Sequence, residues 1–239
     1  MNLITLEQVD STNIYAKSNI DVLEDKTLVM ARRQVSGKGR LNRSWVDLGD
    51  GNLFLSIVLK PSSEFREVYS NLTQYMSVVL CKTLESYGVN AQIKWPNDVL
   101  INGKKVAGIL SETVMRGKTL NGLVLGLGVN LNAKQEDIDS IPDKIATSLN
   151  LELNRFINLN DFMTKLTELF FEQYDNFIEN GFESIKSDYI SRVAFLDTEI
   201  SVKGFNDIKT GIARDITDNG ELVLENNGSK LVLNIGDIL

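Results

Sequence analysis

Ser36-Gly37-Lys38-Gly39-Arg40 alternates small residues with cations, and Arg43 and Trp45 follow a few positions on. Glycine lets backbone N–H groups approach an anion closely while neighbouring cations neutralise it, which is chemistry suited to a phosphate. The same pattern also fits a solvated basic loop with turn glycines. Between residues 26 and 46 stand Lys26, Arg32, Arg33, Lys38, Arg40 and Arg43 and no acid, a local +6 in a chain of net charge -7 that leaves -13 on the remainder. Positive charge is therefore concentrated in one segment of an acidic molecule. A general nucleic-acid binder, which needs a broad basic surface, is disfavoured.

A second constellation reads Lys94-Trp95-Pro96-Asn97-Asp98, then Lys104-Lys105-Val106-Ala107-Gly108-Ile109-Leu110, then Gly126-Leu127-Gly128-Val129-Asn130. Pro96, Asn97 and Asp98 are turn formers, so a plain hairpin accounts for the shape. It does not account for a tryptophan among three lysines in a chain otherwise short of cations. The chain has no histidine, which removes Ser-His and Cys-His nucleophile pairs, imidazole bases and the commonest zinc ligand. Cys81 is the sole cysteine. Neither an intrachain disulfide nor a cysteine-cluster metal site is expected, a reducing compartment is the natural reading, and an apolar helical setting assigns Cys81 to the core. Chemistry must then run on Lys, Arg, Asp, Glu and backbone amides, with no metal held by protein ligands alone. Gly117-Lys118-Thr119 ends like a P-loop, but Glu112 stands where the upstream glycine is required, so it reads as a hairpin turn. Gly37-x-Gly39 and Gly126-x-Gly128 each lack the third glycine and following helix of a dinucleotide site.

With Asp10-Ser11-Thr12-Asn13 before them, Gln34 leading into the basic loop, and Ala146-Thr147-Ser148-Leu149 after them, these motifs resemble in order and spacing the biotin protein ligases of the class lacking an N-terminal DNA-binding domain. The resemblance covers nearly the whole chain. There are departures: Lys38 replaces the usual first arginine of the loop, Asn42 replaces its last glycine, Arg214 stands where glycine is common, and residues 133–147 contain no aromatic to cover an adenine. Asn tolerates positive φ, so the turn at Asn42 can survive.

The resemblance implies an α+β fold, a mixed sheet flanked by helices like that of class II aminoacyl-tRNA synthetases, with a small C-terminal SH3-like β-barrel. It implies ATP and Mg2+ as cofactors, biotin as substrate, and the biotin carboxyl carrier domain of a carboxylase as protein partner, with no nucleic acid and no membrane, and it leaves homodimerisation open. Catalysis falls to Arg40, Lys105 and Asp98. Biotin falls to Ser11, Thr12, Asn13, Gln34, Gly37, Gly39, Arg40, Lys105, Gly108, Gly126 and Gly128. The nucleotide falls to Lys38, Arg40, Arg43, Trp45, Asn97, Lys105 and Asn130. Reaching neutral lysine at pH 7 from a pKa near 10.4 costs about 4.6 kcal/mol. In the absence of imidazole, Asp98 is the carboxylate expected to orient or deprotonate the acceptor amine. The rival is a lipoate or octanoate ligase-type acyltransferase, but Arg32-Arg33 is not followed by three glycines and the essential His-containing stretch of those proteins has no counterpart here.

The elements that must position these residues are legible from pattern. Strands are expected at Leu3–Val9, Leu28–Arg33 and 52–60, with a short helix through Ser18 between the first two and a long helix over Val68–Tyr87 stopped by Gly88. An antiparallel meander follows at 92–95, 99–101, 106–114 and 120–127, turning at Asn102-Gly103 and Arg116-Gly117. Residues 133–147 read as a long functional loop, helices occupy about 160–179 and 182–191, and short β segments at 199–203, 208–216, 221–225 and 231–235 close the chain. This predicts a catalytic domain over 1–192 and a β module over 193–239. The module is too small to hold together without packing on a neighbour. The first residues lack a secretory signal and the longest apolar run, Leu53–Leu59, is too short to span a bilayer, so a cytoplasmic protein is expected.

Overall fold

The computed structural model describes residues 2–141, 145–204 and 207–239. Seven strands form a mixed sheet: β1 (Leu3–Val9), β2 (Thr27–Gln34), β3 (Leu53–Leu59), β4 (Ala91–Lys94), β5 (Asp98–Ile101), β6 (Lys104–Arg116) and β7 (Thr119–Val129), in the order β1-β2-β3-β7-β6-β5-β4. Only β1 and β2 run parallel among the registered pairs. The chain divides into two compact units, Met1–Glu67 with Lys104–Lys165, and Val68–Gly103 with Leu166–Leu239.

In the first unit, β3 is buried along its whole length, between β2 and β7. It is therefore a continuous apolar run and not an alternating one. Ser56 is its one polar residue and is fully buried. Edge strand β1 alternates instead, half-burying Ile4 and Leu6 and exposing Thr5 and Glu7. Helix α1 (Thr12–Ser18) covers this sheet with Ala16, and Ile20 beyond its end joins Leu23, Val29, Val58 and Val124 in a buried cluster. β6 and β7 pair across the expected turns: Arg116 faces Thr119 with Gly117 at φ 61°, so the P-loop look-alike is a two-residue hairpin connection. Asn102 and Gly103 both take positive φ, as a type I′ turn requires.

The long polar segment departs from a plain loop. It carries a short helix α3 (Gln135–Asp139), whose Ile138 packs with Leu48 and Ala133, and is followed by a second, α4 (Leu149–Leu153), capped by the Ser148 hydroxyl. Each has five residues, less than two turns, too short for an apolar period to show in sequence. Pro142, which the sequence places in this segment, lies outside the described residues.

The second unit is built on α2 (Leu72–Glu85), α5 (Leu159–Asn180, whose first turns belong to the first unit) and α6 (Glu183–Ile190). Helix α2 begins later than its periodicity suggests, because Glu67–Asn71 forms a 3-10 turn. Tyr75 of α2 stacks on Phe177 of α5 at 4.4 Å and its hydroxyl donates to the Phe170 carbonyl, so one side chain fills the core and satisfies its polar tip. Cys81 is buried, which pushes its thiol up to about 12. The C-terminal strands β8 (Glu199–Lys203), β9 (Ile208–Ile216), β10 (Leu222–Asn226), β11 (Ser229–Leu233) and β12 (Asp237–Ile238) form an antiparallel sheet in the order β11-β10-β9-β8-β12, an SH3-like module. β12 has two residues and left no sequence signal.

This sheet is anchored within its unit through one turn. The Gly220 carbonyl accepts from Gln74 Nε2 at 2.6 Å and from Trp95 Nε1 at 3.2 Å, and the Asn219 carbonyl accepts from Asn71 Nδ2 at 2.9 Å. The tryptophan that a plain hairpin left unexplained is thus a buried anchor, 2% exposed, for the C-terminal module.

Candidate functional site: a glycine-floored groove

β2 delivers the chain at Gln34 into the basic loop, and the loop folds back on itself as a small hairpin. Trp45 N donates to the Gly37 carbonyl (2.9 Å), Gly39 N to the Arg43 carbonyl (2.8 Å), and Lys38 bridges Ser44. Arg40, Leu41 and Asn42 make the tip as a 3-10 turn, with Leu41 in the left-handed region at φ 51°. Val35 N and Ser36 N donate to the Val9 and Asp10 carbonyls, which fastens the hairpin's base beside the start of α1. Together Arg33–Lys38 and Ser44–Asp47 line a cavity of about 560 Å³.

The cationic segment is narrower than its sequence suggests. Asp47, just past the acid-free window, accepts from Arg33 Nε at 2.7 Å and from Gln34 N at 3.1 Å, and Arg32 lies 3.5 Å from Glu7. The Asp47 carboxylate holds the Arg33 guanidinium above its ordinary range, chiefly through the hydrogen bond. Arg32 and Arg33 thus pair with acids outside that window, while Lys38, Arg40 and Arg43 stand on the hairpin itself.

The floor of the site is glycine. Gly108 of β6 and Gly128 of β7 are paired in register, and Gly126 lies two residues along β7. A Cβ on Gly128 would stand 2.4 Å from the Trp45 indole, and one on Gly108 would stand 2.8 Å from it and 3.3 Å from Lys105 Nζ. One on Gly126 would stand 2.0 Å from Asn13 Oδ1. These glycines are demanded by close approach, not by backbone angle. Lys105 Nζ lies 5.4 Å from the Trp45 ring centroid, within cation–π range. Lys105 is itself held by a strap: its N donates to the Ile145 carbonyl at 3.0 Å, and Thr147 N donates to its carbonyl at 2.9 Å.

At the other end of the groove, Ser11, Thr12 and Asn13 open α1 and are all buried. Ser11 occupies the N-cap position, yet its hydroxyl makes no capping bond, so helix capping alone does not explain it. Gln34 Oε1 accepts from Thr12 N at 2.7 Å and from Thr12 Oγ1 at 3.1 Å. Asn130, expected at the nucleotide, is buried and donates Nδ2 to the Thr147 carbonyl at 3.1 Å, so it also locks the strap that holds Lys105.

The first unit therefore gathers Ser11, Thr12, Asn13, Gln34, Gly37, Lys38, Gly39, Arg40, Arg43, Trp45, Lys105, Gly108, Gly126, Gly128 and Asn130. Asn97 and Asp98 belong to the second unit, where Asp98 opens β5 opposite Lys94. Sequence reading missed Ser56, Glu112, Lys17 and Asn52. Asn52 Oδ1 accepts from three successive amides, Leu131, Asn132 and Ala133, at 2.9–3.1 Å, which shapes the exit of β7. Ser56 carried one signal, a hydroxyl in the middle of an apolar strand. Among the described residues no group of three His, Cys, Asp or Glu side chains could hold a metal ion.

A mixed sheet whose glycine floor is faced by a basic hairpin and a strapped lysine offers fixed cations and backbone amides to an anionic group. Residues 5–130 match the model of the Biotin/lipoate A/B protein ligase family, and residues 195–239 match the Biotin protein ligase C terminal domain. The chain belongs to the Biotin/lipoate A/B protein ligase family. It is 30% identical over 238 residues to the "Biotin--[acetyl-CoA-carboxylase] ligase" of Paracoccus denitrificans, covering 98% of each chain. It is 31% identical over 202 residues to the "Bifunctional ligase/repressor BirA" of Bacillus subtilis, where the match takes 84% of this chain and 62% of that protein's length. A solved "Biotin protein ligase from Aquifex aeolicus in complex with biotin and ATP" superposes with a TM-score of 0.82 at 26% identity, over 100% of this chain and 97% of the other.

Proposed function

We propose that the protein is a biotin protein ligase. It activates biotin with ATP to biotinyl-5′-AMP and then passes the biotinyl group to a lysine of a biotin carboxyl carrier domain of a carboxylase. The observation that carries this reading is the glycine-floored groove, which has polar, buried recognition groups at one end (Thr12, Gln34) and Lys105 with the Lys38–Arg43 hairpin at the other. Such a groove accepts a flat, uncharged head and presents cations to an acidic tail.

In the first step a biotin carboxylate oxygen bonds to the α-phosphorus of ATP as the bond to pyrophosphate breaks. Two anions must meet, so the site needs fixed cations and amide dipoles aimed at the developing charge. Arg40 and Lys105 take this role, with Arg40 also retaining the intermediate, and Lys38, Arg43, Trp45, Asn97 and Asn130 serve the nucleotide. Mg2+ fits as an ion carried on the triphosphate, since its preferred water-rich octahedral shell needs only one or two carboxylates; when bound it would neutralise phosphate charge. In the second step the carrier lysine's nitrogen bonds to the acyl carbon, AMP leaves, and the amine proton must be removed. Asp98 orients the amine or takes that proton. The β module over 193–239 serves to dock the carrier. The protein works in the cytoplasm.

Incubation with ATP, Mg2+ and labelled biotin or lipoate, followed by a carrier domain, tests the reading. Pyrophosphate release and carrier labelling with biotin alone support it; transfer of lipoate in place of biotin overturns it. Asp98→Asn is expected to slow carrier labelling by about 10²- to 10⁴-fold, the scale of general base catalysis. Wild-type rates in both half-reactions would remove Asp98 from the mechanism.

A further inference from the structure

Asn52, the residue before β3, is buried and belongs to none of the motifs above. Its side-chain amide bonds in two opposite directions. Oδ1 accepts from Leu131 N, Asn132 N and Ala133 N, where the chain leaves β7. Nδ2 donates to the Leu48 carbonyl at 3.2 Å and to the Gly49 carbonyl at 3.1 Å, in the turn where the basic hairpin returns to the sheet. One end must accept and the other must donate, which an amide does and a carboxylate does not. Each side then leads on to cations. From the turn, Gly49 N donates to Asp47 Oδ1 at 2.9 Å, and Asp47 Oδ2 holds Gln34 N and Arg33 across the neck of the hairpin that bears Lys38, Arg40 and Arg43. From the β7 exit, the Ala133 carbonyl accepts from Ser148 Oγ at 2.6 Å, while the adjoining Asn130 holds Thr147, whose N donates to the Lys105 carbonyl. Leu48 also packs on Ala133 and Ile138, and Asn132 Nδ2 braces the Gly51 carbonyl at 2.9 Å. Apolar contact is non-directional, and the Gly51 brace sits beside β3, so the bonds to Leu48 and Gly49 are what set the hairpin's return limb in register.

We propose that Asn52 is a positioning residue for the activation step, setting where the cations of the basic hairpin stand relative to the strapped Lys105. The inference rests on the ligase reading above and deepens it with a side chain that does not touch substrate. Recognition of the biotin ring is left alone. Gln34 is bonded to Thr12, and Val35 N and Ser36 N to the Val9 and Asp10 carbonyls, so that end of the groove is fastened without Asn52. Joining two anions, by contrast, needs both sets of cations in place at once, and a misplacement of about 1 Å costs about 10²-fold in rate.

Asn52→Asp keeps the size and still accepts from the three amides, but it turns a second acceptor toward the Leu48 and Gly49 carbonyls, which detaches the turn from the β7 exit. The protein is mixed with saturating biotin, ATP and Mg2+ and no carrier, so that each competent chain releases one pyrophosphate. The amplitude of that burst counts competent chains and its rate reports activation. The variant is expected to keep the wild-type amplitude and to bind biotin, without nucleotide, within about threefold of wild type, while the burst slows about 10- to 100-fold. A residue that merely supports the fold would lower amplitude or biotin affinity along with the rate, and that pattern overturns the proposal, as does a slowing of less than about fivefold. Should Asn52→Asp fail to fold, Asn52→Ser, whose hydroxyl is too short to span both sides, decides by the same three readings. A wild-type protein that releases no pyrophosphate with biotin would instead overturn the ligase reading itself.

Discussion

At Gly126 the tolerance of the site is set by one hydrogen-for-methyl exchange. A Cβ there would stand 2.0 Å from Asn13 Oδ1 and 2.7 Å from its Cγ, against a side chain already tied to Glu112 and Ser56. Asn13 could yield only by breaking those bonds within a packed interior. Gly126→Ala is expected to weaken biotin binding at least about 30-fold by titration calorimetry, on the scale of two lost buried hydrogen bonds. Near-normal affinity would show that Asn13 is not fixed as described. Motif order alone selected Thr12, Gln34, Lys105 and the three floor glycines, because close approach to a ligand restricts residue type as well as position. Ser56 and Glu112 escaped notice because a serine in a strand and a glutamate on a hairpin look ordinary until the fold brings them within bonding distance. Trp95 was conspicuous for the wrong reason: its partner is the Gly220 carbonyl, far along the chain.

Among the elements, long periodic segments matched their sequence patterns closely. β1 spans Leu3–Val9 as expected, and α5 and α6 fall within a residue or two of the predicted helices. What escaped was short: α3, held by Ile138 packing on Leu48 and Ala133, α4, held by the local Ser148 cap, and β12, held by pairing with β8, none of them by periodicity of their own. One pairing between elements makes a pH-dependent prediction. Asp188 of α6 accepts from Lys82 of α2 at 2.5 Å and from Arg192 Nη1 at 3.2 Å, and Arg192 in turn holds Glu85 through Nε and Nη2 at 2.8 and 2.9 Å. Burial raises the Asp188 carboxyl, but the Lys82 hydrogen bond and the two nearby cations outweigh it, and the net pKa is lowered. A folded pKa below the unfolded value contributes stability above that value and loses it as pH falls through the folded one. Asp188 is partly solvated, so Asp188→Asn should cost under about 1 kcal/mol at neutral pH. The Tm gap between variant and wild type should close as pH drops below 3.8, the unreplaced carboxyl's ordinary value. A gap that persists in acid would assign the effect to packing.

For the whole molecule, an acidic chain of net charge -7 concentrates positive charge in one segment, and the proposed reaction places the joining of two anions there. The local excess between residues 26 and 46 was readable in sequence; its partial cancellation by Asp47 and Glu7 was not, because neither acid lies inside that window. On the proposed reading the intermediate must also be kept from water, and the basic hairpin is expected to close over the ligand together with the polar segment whose described residues are 133–141 and 145–147. Biotin with ATP is expected to protect both segments from limited proteolysis, and equal cleavage with and without ligand would count against closure.

The indole of Trp45 resting on Gly108 and Gly128 changes what a ligand at that floor competes with. The seat is already taken by part of the enzyme itself. A molecule binding at that floor would have to displace the ring before it gained contacts of its own, and its measured affinity would be reduced by that cost. Shrinking that side chain would therefore act on the unliganded protein as much as on the complex, so a tighter-binding variant at Trp45 need not have gained a single contact.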